Sequence, residues 1–243
     1  MESLSRKHIL VFGATGGMGT ALCSLLAASG AYIWISGRNK EKLQSIQKQF
    51  PTQISGILPC DIRDESAVQA LAAKLQPEMG HLDVLINLSG VGILKPLEQL
   101  SVAEFEEVMR VNAFGAFYIM KHFMPLFRAR QEGLIVHVPG ILGKVPMSGA
   151  AAYCASKYAL VGMVQSIREE IKRTRIRITL LYLGGVDTPF WDQMDVRFQR
   201  ERMIRADEAA RAIWYICQQP DSGVLNEMVL QPFSHQVLWN MHQ

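Results

Sequence analysis

Tyr153 and Lys157 are the residues of this sequence whose types and spacing most directly imply chemistry. Residues four apart lie one turn from each other on the same face of a helix. A phenol with an unperturbed pKa near ~10 exchanges protons poorly at neutral pH, but a neighbouring ammonium favours the phenolate and lowers that pKa. The pair predicts a general acid/base unit for carbonyl or alcohol chemistry. Because the bare spacing also occurs in ordinary amphipathic helices, this hypothesis depends on a second signal.

The second signal is a glycine-rich turn between a strand and a helix near the start of the chain. The apolar run His8–Phe12 is predicted to be a buried parallel strand, and residues 20–29 are predicted to form a helix that ends at Gly30. The turn between them contains Gly13, Thr15, Gly17, Met18 and Gly19. Backbone N–H groups and the positive end of a helix dipole bind a pyrophosphate at such a turn, and glycines allow close approach. This context predicts a dinucleotide site.

Strands and helices alternate along the 243 residues. These elements must bring the glycine-rich turn and the Tyr153–Lys157 pair together. Further strands are predicted at residues 31–35, 54–58, 84–87, 134–138, 176–181 and 227–230. Further helices are predicted at residues 40–50, 65–75, 102–128, 150–172 and 207–218, the third with a bend at Pro125. The pattern predicts a single α/β domain over residues 1–243, with a Rossmann-type doubly wound parallel sheet of roughly seven strands and helices on both faces. We expect residues 1–140 to bind the cofactor and residues 141–243 to face the substrate.

The composition is typical of one enzyme domain. Hydrophobic residues make up 49% of the chain, and the net charge of +3 is too small to imply binding to nucleic acid or a membrane. The four cysteines are scattered without the spacing of metal ligands. No signal peptide or apolar run long enough to span a membrane is visible in the sequence. We therefore expect a cytoplasmic protein that holds no metal and acts on a small molecule.

Together these features resemble the short-chain dehydrogenase/reductase family over nearly the whole chain. Gly13, Gly17 and Gly19 match that family's Thr-Gly-x-x-x-Gly-x-Gly turn, with Phe12 in place of the threonine. Matches to its later motifs are Asp61, Ile62, Asn87, Gly90, Asn112, Tyr153, Lys157, Gly184, Val186 and Thr188, with Leu183 replacing a proline. The resemblance implies an oxidoreductase that transfers a hydride between a bound nicotinamide cofactor and a carbonyl or alcohol substrate.

The resemblance also implies roles for individual residues. Tyr153 would give its proton to the carbonyl, while Lys157 would lower the pKa of Tyr153 and hold the nicotinamide ribose. Asn112 would position a water that links Lys157 to solvent, and Asp61 would contact the adenine. Because family members are usually built as pairs around two long helices, we also expect a homodimer or homotetramer.

One position departs from the family pattern. The family's catalytic serine lies thirteen residues before the tyrosine, and Gly140 stands there in this chain. Loss of one preorganised hydrogen-bond donor commonly costs about 10²–10³ in rate. Three hydroxyls are candidate replacements, although for each one taken alone an ordinary loop hydroxyl or helix cap is favoured: Ser89, Ser148 and Thr188. Two functions stay open, a working reductase and a cofactor-binding sensor, scaffold or subunit partner without turnover, and the intact Tyr153–Lys157 pair favours the enzyme.

The residues after the second predicted strand indicate which cofactor is bound. A carboxylate at this point would bind the ribose hydroxyls of NAD, and none is present. Arg38 instead offers a planar cation suited to the 2′-phosphate of NADP, and Asn39 or Lys40 could assist it. The sequence therefore predicts NADP(H) rather than NAD.

The substrate is not identified by the sequence. Residues 189–204 are predicted to form a lid over the site. The candidate pocket residues, which could equally pack a lid onto the body, are Leu94, Gly140, Leu142, Val145, Met147, Ser148, Phe190, Trp191, Met194 and Phe198. Five cations could attract an anionic substrate or simply form a solvated surface: Lys144, Arg197, Arg200, Arg202 and Arg205. Both alternatives stay open at this point.

Overall fold

A parallel sheet forms the centre of the computed structural model, which describes residues 3–194, 199–220 and 222–233. The strands are β1 His8–Phe12, β2 Tyr32–Gly37, β3 Ile54–Pro59, β4 Val84–Asn87, β5 Glu132–His137, β6 Arg175–Leu183, β7 Val186–Asp187, β8 Ile204–Arg205 and β9 Glu227–Leu230. The central sheet has seven parallel strands in the order β3-β2-β1-β4-β5-β6-β9, and β7 pairs with β8 beside it. Because the chain leaves β1 toward one edge and β4 toward the other, a crevice is expected where these two strands end.

Helices cover both faces of the sheet. They are α1 Gly17–Ala28, α2 Lys40–Gln49, α3 Glu65–Met79, α4 Val102–Met109, α5 Gly115–Arg130, α6 Ala151–Ile171 and α7 Ala206–Cys217. The core on one face joins the sheet to α3, α5 and α6, and the core on the other joins it to α1, α2 and α7. Since both faces are covered, the strands are almost continuously apolar, as parallel strands are. The predicted doubly wound fold is confirmed.

Several helices begin with the caps that their sequences encode. The side chain of Asn39 accepts a hydrogen bond from the backbone N–H of Lys42 at the start of α2, and Ser101 and Glu104 form a capping box at the start of α4. In contrast, the residue that precedes α1 is Gly16, which has no side chain. The N–H groups in the first turn of α1 therefore donate no hydrogen bond to a capping side chain. The helix after the glycine-rich turn is therefore uncapped, as is α6, which follows Ala150.

The long helix predicted over residues 102–128 was wrong in one respect. It is interrupted by a π-helix, Arg110–Phe114, whereas Pro125 lies within the regular helix α5. The extra residue of a π turn lets Asn112 reach the neighbouring loop at Val91, a tertiary contact that local sequence does not announce. Within the described residues, no helix is long and apolar enough to cross a membrane.

Candidate active site

A cleft of about 420 Å³ opens where β1 and β4 end. The glycine-rich turn, the end of β2 and the loop after β4 line one end of it, and Tyr153 and Lys157 line the other. Among the predicted site residues, those that line it are Gly13, Thr15, Gly17, Met18, Gly19, Arg38, Asp61, Ile62, Gly90, Gly140, Tyr153, Lys157, Gly184, Val186, Thr188, Phe190 and Trp191. The fold therefore brings most of the predicted residues to one crevice at the carboxyl edge of the sheet.

The glycines of the turn are required by close backbone approach. Gly13 has φ +77°, and a Cβ there would lie 2.8 Å from the backbone nitrogen of Ser89. A Cβ at Gly19 would lie 2.4 Å from the carbonyl oxygen of Gly13, and one at Gly17 would lie 2.8 Å from the methyl group of Thr188. Any side chain would push the helix away from the strand or close the cleft. The turn thus leaves the uncapped start of α1 against open space that suits an anion.

Cations and one orphaned hydroxyl lie at the end of β2. Arg38 and Lys42 line the cleft, whereas Lys40 is exposed outside it and Asn39 serves as the cap of α2, so neither predicted assistant of Arg38 has that position. Ser36 also lines the cleft, fully buried, and its hydroxyl has no hydrogen-bond partner among the described residues. Because Asn39 caps α2, Lys42 lies in the first turn of that helix and lines the same cleft as Arg38. Recognition of Asn39 as a cap in the sequence could have predicted this position of Lys42.

Asp61 lines the cleft but is already paired. Arg63 donates from Nε and Nη2 to the Asp61 carboxylate at 3.0 and 2.6 Å, and from Nη1 to Glu107 at 2.9 Å. These hydrogen bonds from Arg63 lower the pKa of Asp61, with burial opposing them. The predicted contact of Asp61 with an adenine stays a prediction. Arg63, which also lines the cleft, was not foreseen, because an arginine two residues later on a loop has no fixed direction.

Asn87 lies behind the cleft rather than in its lining. Its buried side chain accepts a hydrogen bond from the backbone N–H of Ser89 at 3.0 Å, and its Nδ2 lies 3.4 Å from Nδ1 of His137 on β5. Asn87 therefore shapes the loop that carries Gly90, and its predicted direct contact with a cofactor does not match this position. His137 is fully buried, and burial followed by the charge of Lys157 lowers its pKa to about 3.

Tyr153 and Lys157 lie together on α6 at the end of the cleft opposite the glycine turn. The buried Lys157 donates from Nζ to the backbone carbonyl of Val138 at 3.2 Å, and Nζ is 5.4 Å from the centre of the Tyr153 ring. Burial lowers the pKa of Lys157 to about 8. Burial also raises the pKa of the half-buried Tyr153, with a smaller effect of Cys154, so the predicted lowering by Lys157 is wrong for this structure. Desolvation outweighs the attraction between the two groups.

The side chain of Asn112 fastens the cleft wall to α6. Nδ2 donates to the carbonyl of Val91 at 2.8 Å and to Oγ of Ser156 at 2.9 Å, while Oδ1 accepts from the backbone N–H of Val91 at 2.9 Å. Both amide hydrogens are therefore used, and any water at Asn112 must donate to one of its oxygens. A Cβ at Gly90 would lie 3.4 Å from both Asn112 Oδ1 and Lys157 Nζ. The glycine therefore leaves the space between these two polar atoms free of a side chain.

A second, small cavity of about 50 Å³ adjoins Tyr153 on the side away from the glycine turn. Its lining is apolar and includes Leu94, Leu142, Met147, Phe190, Trp191 and Met194, as predicted. The ring of Phe190 lies 6.0 Å from that of Tyr153, and Trp191 donates from its indole nitrogen to the carbonyl of Val186 at 2.7 Å. Val145 is 42% exposed and does not line this cavity, and Phe198 lies outside the described residues.

Gly140 lies at the junction of the two cavities. Its backbone has φ +70° and ψ 171°, a conformation that essentially only glycine adopts. A Cβ there would nevertheless make only ordinary van der Waals contacts, 3.6 Å from the carbonyl oxygen of Leu183 and 3.9 Å from the hydroxyl oxygen of Tyr153. None of the three candidate replacement hydroxyls lines the small cavity: Ser148 is exposed outside both cavities, Thr188 donates to the carbonyl of Val186 at 3.4 Å, and Ser89 lines the larger cleft.

The cations near the lid are engaged with carboxylates. Arg200 donates to Asp187 and to Asp192, each at 2.6 Å, and to the carbonyl of Thr188 at 3.0 Å. Arg205 pairs with Asp207 and Glu208, Lys144 pairs with Glu227, and Arg202 is exposed. Arg197 lies outside the described residues. In the described part of the lid, these contacts brace the 3₁₀ turn Pro189–Gln193 instead of presenting a free cation to the cavity.

Comparisons with known proteins agree with this geometry. An uncharacterized oxidoreductase of Staphylococcus saprophyticus is 29% identical over 243 residues, covering 96% of this chain and 99% of that protein. The crystal structure of a metagenomic short-chain oxidoreductase in complex with NADP superposes with a TM-score of 0.82 at 27% identity, covering 95% of this chain and 99% of that one. An alcohol dehydrogenase from Thermococcus sibiricus, complexed with 5-hydroxy-NADP, shares the fold with a TM-score of 0.86 at 24% identity, covering 94% and 97%.

The sequence profile described as short chain dehydrogenase matches residues 7–197, which include the glycine-rich turn, the loop after β4 and the Tyr153–Lys157 pair. That match extends over well more than half of the chain. The seven-stranded parallel sheet and the crevice at its switch point have the architecture of the superposed oxidoreductases. The chain therefore belongs to the short-chain dehydrogenase family of oxidoreductases.

Proposed function

We propose that the protein is an NADP(H)-dependent oxidoreductase that interconverts a carbonyl compound and its alcohol, with Tyr153 as the proton donor and acceptor. One observation carries the proposal. The hydroxyl of Tyr153 and the ammonium of Lys157 line the same cleft as a glycine-rich turn that leads to an uncapped helix. A proton-transfer group and an anion-binding turn in one crevice are the two components that nicotinamide-dependent carbonyl reduction requires.

The residues present fit NADP. The start of α1 would hold the pyrophosphate, and Arg38 with Lys42 would bind the 2′-phosphate. The orphaned hydroxyl of Ser36 supports this assignment, because a fully buried polar group without a partner is rare unless a ligand satisfies it. The similar metagenomic oxidoreductase was crystallised with NADP, which favours the same cofactor here. When bound, the nicotinamide would supply or accept the hydride.

The protonation states of the two central residues favour reduction at neutral pH. Because the pKa of Tyr153 is raised, its phenol keeps the proton that a reduced carbonyl oxygen must receive. Lys157 is charged below its pKa of about 8, and its N–H groups beyond the one bound to Val138 would hold the ribose. Asn112 would accept a hydrogen bond from a water that returns protons to this pair. Reduction should therefore weaken as the pH rises above about 8, where Lys157 loses its charge.

The test is a comparison of two tyrosines on one helix. Removing a positioned general acid costs about 10²–10⁴ in rate, so Tyr153→Phe should lose carbonyl-dependent NADPH oxidation by that factor and still bind NADPH. Tyr158→Phe is the matched control, because that side chain is 46% exposed and donates to the carbonyl of Lys144. Fluorescence titration measures binding and absorbance at the nicotinamide band measures turnover. Equal turnover in both variants would refute the role of Tyr153.

A second candidate function is cofactor binding without turnover, as a sensor, scaffold or subunit partner. Gly140 favours it, since no hydroxyl other than that of Tyr153 lines the small cavity in the described residues. Tight NADPH binding by the wild type without oxidation by any aldehyde, ketone or quinone would support this second candidate over the first. The outcome of the same titration therefore separates the two functions.

We also propose that residues 1–243 act as one domain that assembles into a homodimer or homotetramer through α4, α5 and α6. Exposed apolar side chains support this on all three helices and on the π-helix between α4 and α5: Val102, Phe105, Phe114, Phe117 and Tyr158. A second copy of the same surface would bury them, as closed two-fold assemblies do. Light scattering at micromolar protein should give at least twice the monomer mass, and a monomer mass would contradict the proposal.

A further inference from the structure

We infer that the substrate is a small, uncharged, apolar carbonyl compound with an intrinsically electrophilic carbonyl group, such as an aromatic aldehyde or a 1,2-diketone. This inference deepens the proposed function and rests on it. It follows from four features of the small cavity beside Tyr153: the chemistry of its walls, the pairing of charges near it, its limited size, and the absence of a second hydroxyl at Gly140.

The walls of the small cavity offer apolar contact and one hydroxyl. Aliphatic and aromatic side chains from three distant parts of the chain meet there, including Leu94, Leu142, Met147 and Phe190. The described lining has no charged side chain, and its polar side chains are Tyr153 and Trp191. Trp191 uses its single N–H on the carbonyl of Val186. The hydroxyl of Tyr153 is therefore the group that can hydrogen-bond a substrate, and it is needed for the carbonyl oxygen itself.

Two cations near the cavity are compensated among the described residues. Lys144 pairs with Glu227 and lies 4.4 Å from the centre of the Tyr182 ring, and Arg200 is held by Asp187 and Asp192. The charged Lys157 lines the larger cleft and not the small cavity, so a substrate carboxylate in the small cavity would lose its hydration without a cation in the described lining. Because burial of an unpaired charge is strongly unfavourable, the site discriminates against anionic substrates.

The lid limits the size of the substrate. A Cβ at Gly92 would lie 2.7 Å from Cζ of Phe190 and 2.8 Å from Cε of Met194. The glycine therefore lets both side chains lie directly against the loop after β4, where they narrow the entrance beside Tyr153. The small cavity of about 50 Å³ accommodates a compact group, with the remainder of the substrate extending into the larger cleft.

Because Gly140 has no hydroxyl, the rate should depend strongly on how electrophilic the carbonyl group of the substrate is. One NADPH and one proton are consumed for each carbonyl reduced: a hydride bonds to carbon, the C=O π bond breaks, and the oxygen takes the proton of Tyr153. With one hydroxyl instead of two at the oxygen, the negative charge that develops there is less stabilised. Aldehydes and 1,2-diketones need less of this stabilisation than simple ketones, because their carbonyl carbons accept a hydride more readily.

A matched pair of aldehydes tests the inference directly. Benzaldehyde and 4-carboxybenzaldehyde present the same reacting group and differ by one carboxylate. We expect kcat/KM for benzaldehyde with NADPH at pH 7 to exceed that for 4-carboxybenzaldehyde by at least about tenfold, and acetophenone to be slower than benzaldehyde. Equal rates, or a preference for the carboxylated aldehyde, would overturn the inference while leaving the proposed reductase function intact.

A designed cation should invert this preference. Met147→Arg places a guanidinium in the cavity wall, and hydrogen bonds between charged groups contribute about 1.5–3 kcal/mol, so the ratio should shift toward 4-carboxybenzaldehyde by about tenfold or more. Val145→Arg is the matched control, because Val145 is exposed close by and does not line the cavity. The same shift in both variants would show a general surface effect and overturn the assignment of the cavity.

Binding of unreactive analogues separates failure of the inference from failure of the proposed function. Benzamide and its 4-carboxy derivative, titrated calorimetrically into NADPH-loaded protein, report on the cavity without chemistry. Tighter binding of benzamide without turnover of benzaldehyde would support the cavity assignment and contradict the reductase. Binding of neither analogue, or tighter binding of the carboxylated one, would overturn the inference.

Discussion

The two ends of the cleft recognise their ligands in different ways. At the glycine turn, recognition depends on backbone: Gly13 and Gly19 have no room for a Cβ, and the uncapped start of α1 presents N–H groups. At the small cavity, it depends on side chains such as Leu142 and Phe190, which converge from distant segments. The first arrangement fixes a charged ligand tightly. The second selects by shape and polarity, so we expect cofactor affinity to be high and substrate selection to be broad.

Gly140 stands between the two ends and gives the largest expected effect. Gly140→Ser would place a hydroxyl near that of Tyr153, since a Cβ there lies 3.9 Å from the Tyr153 hydroxyl oxygen and makes no contact closer than 3.6 Å. We expect kcat of Gly140→Ser to exceed kcat of Gly140→Ala by about 10², the lower end of what one preorganised donor contributes. Steady-state kinetics with benzaldehyde measures this difference.

The alanine variant isolates the hydroxyl from the backbone strain. Both substitutions force a side chain onto a backbone with φ +70°, which costs on the order of 1–3 kcal/mol of stability. Both should therefore unfold at a lower urea concentration than the wild type and by similar amounts. If the serine and alanine variants turned over equally, the missing hydroxyl would not limit catalysis, and substrate selection would have to rest on the apolar walls alone.

The cofactor end is tested next by a change of charge. Arg38→Asp should lower the affinity for NADPH relative to NADH by about 10–100-fold, because a charge-assisted contact worth about 1.5–3 kcal/mol is lost and a repulsion is added. Lys40→Asp introduces the same charge two residues later, outside the cleft lining, and should shift the ratio little. A wild-type preference for NADH, or equal shifts in both variants, would contradict the assignment of the 2′-phosphate to Arg38.

The buried His137 on β5 gives the smallest expected effect, which is on the free energy of unfolding. His137 is buried and neutral with a pKa of about 3, against 6.5 for an unperturbed histidine, and it faces Asn87 and the charge of Lys157. The unfolded chain therefore binds a proton below pH 6.5 that the folded protein excludes, so stability falls as the pH drops through this range. Between pH 7 and 5.5 the wild type should lose about 1 kcal/mol more than His137→Asn in urea unfolding. An identical loss in both proteins would show that His137 does not contribute.

The sequence predicted what depends on local pattern. Apolar runs between turn residues identified β1, β4 and β9 with the observed bounds, and the glycine turn and the spacing of Tyr153 and Lys157 located both ends of the cleft. Each of these signals is contained in a few consecutive residues, whose geometry follows from strand and helix periodicity. Local sequence patterns therefore located the glycine turn and the Tyr153–Lys157 pair without knowledge of the fold.

Contacts between distant segments were not predictable in the same way. The pairing of Arg63 with Asp61 and Glu107, the attachment of Asn112 to Val91, and the burial that raises the pKa of Tyr153 all depend on neighbours brought together by folding. The ion pairs of Arg200 with Asp187 and Asp192 could not be predicted from the sequence, because they depend on how the chain folds after β7. Sequence therefore located the site, while the state of its charges required the structure.

The central claim is transfer of a hydride together with the proton of Tyr153, and isotope transfer tests it most directly. In a single turnover, wild-type protein with NADPH deuterated at both C4 positions reduces benzaldehyde, and mass spectrometry of the benzyl alcohol locates the label. We predict one deuterium on the alcohol carbon, formed at least about 10² more slowly by Tyr153→Phe. Alcohol without deuterium, or equal rates of transfer in the two proteins, would contradict the account.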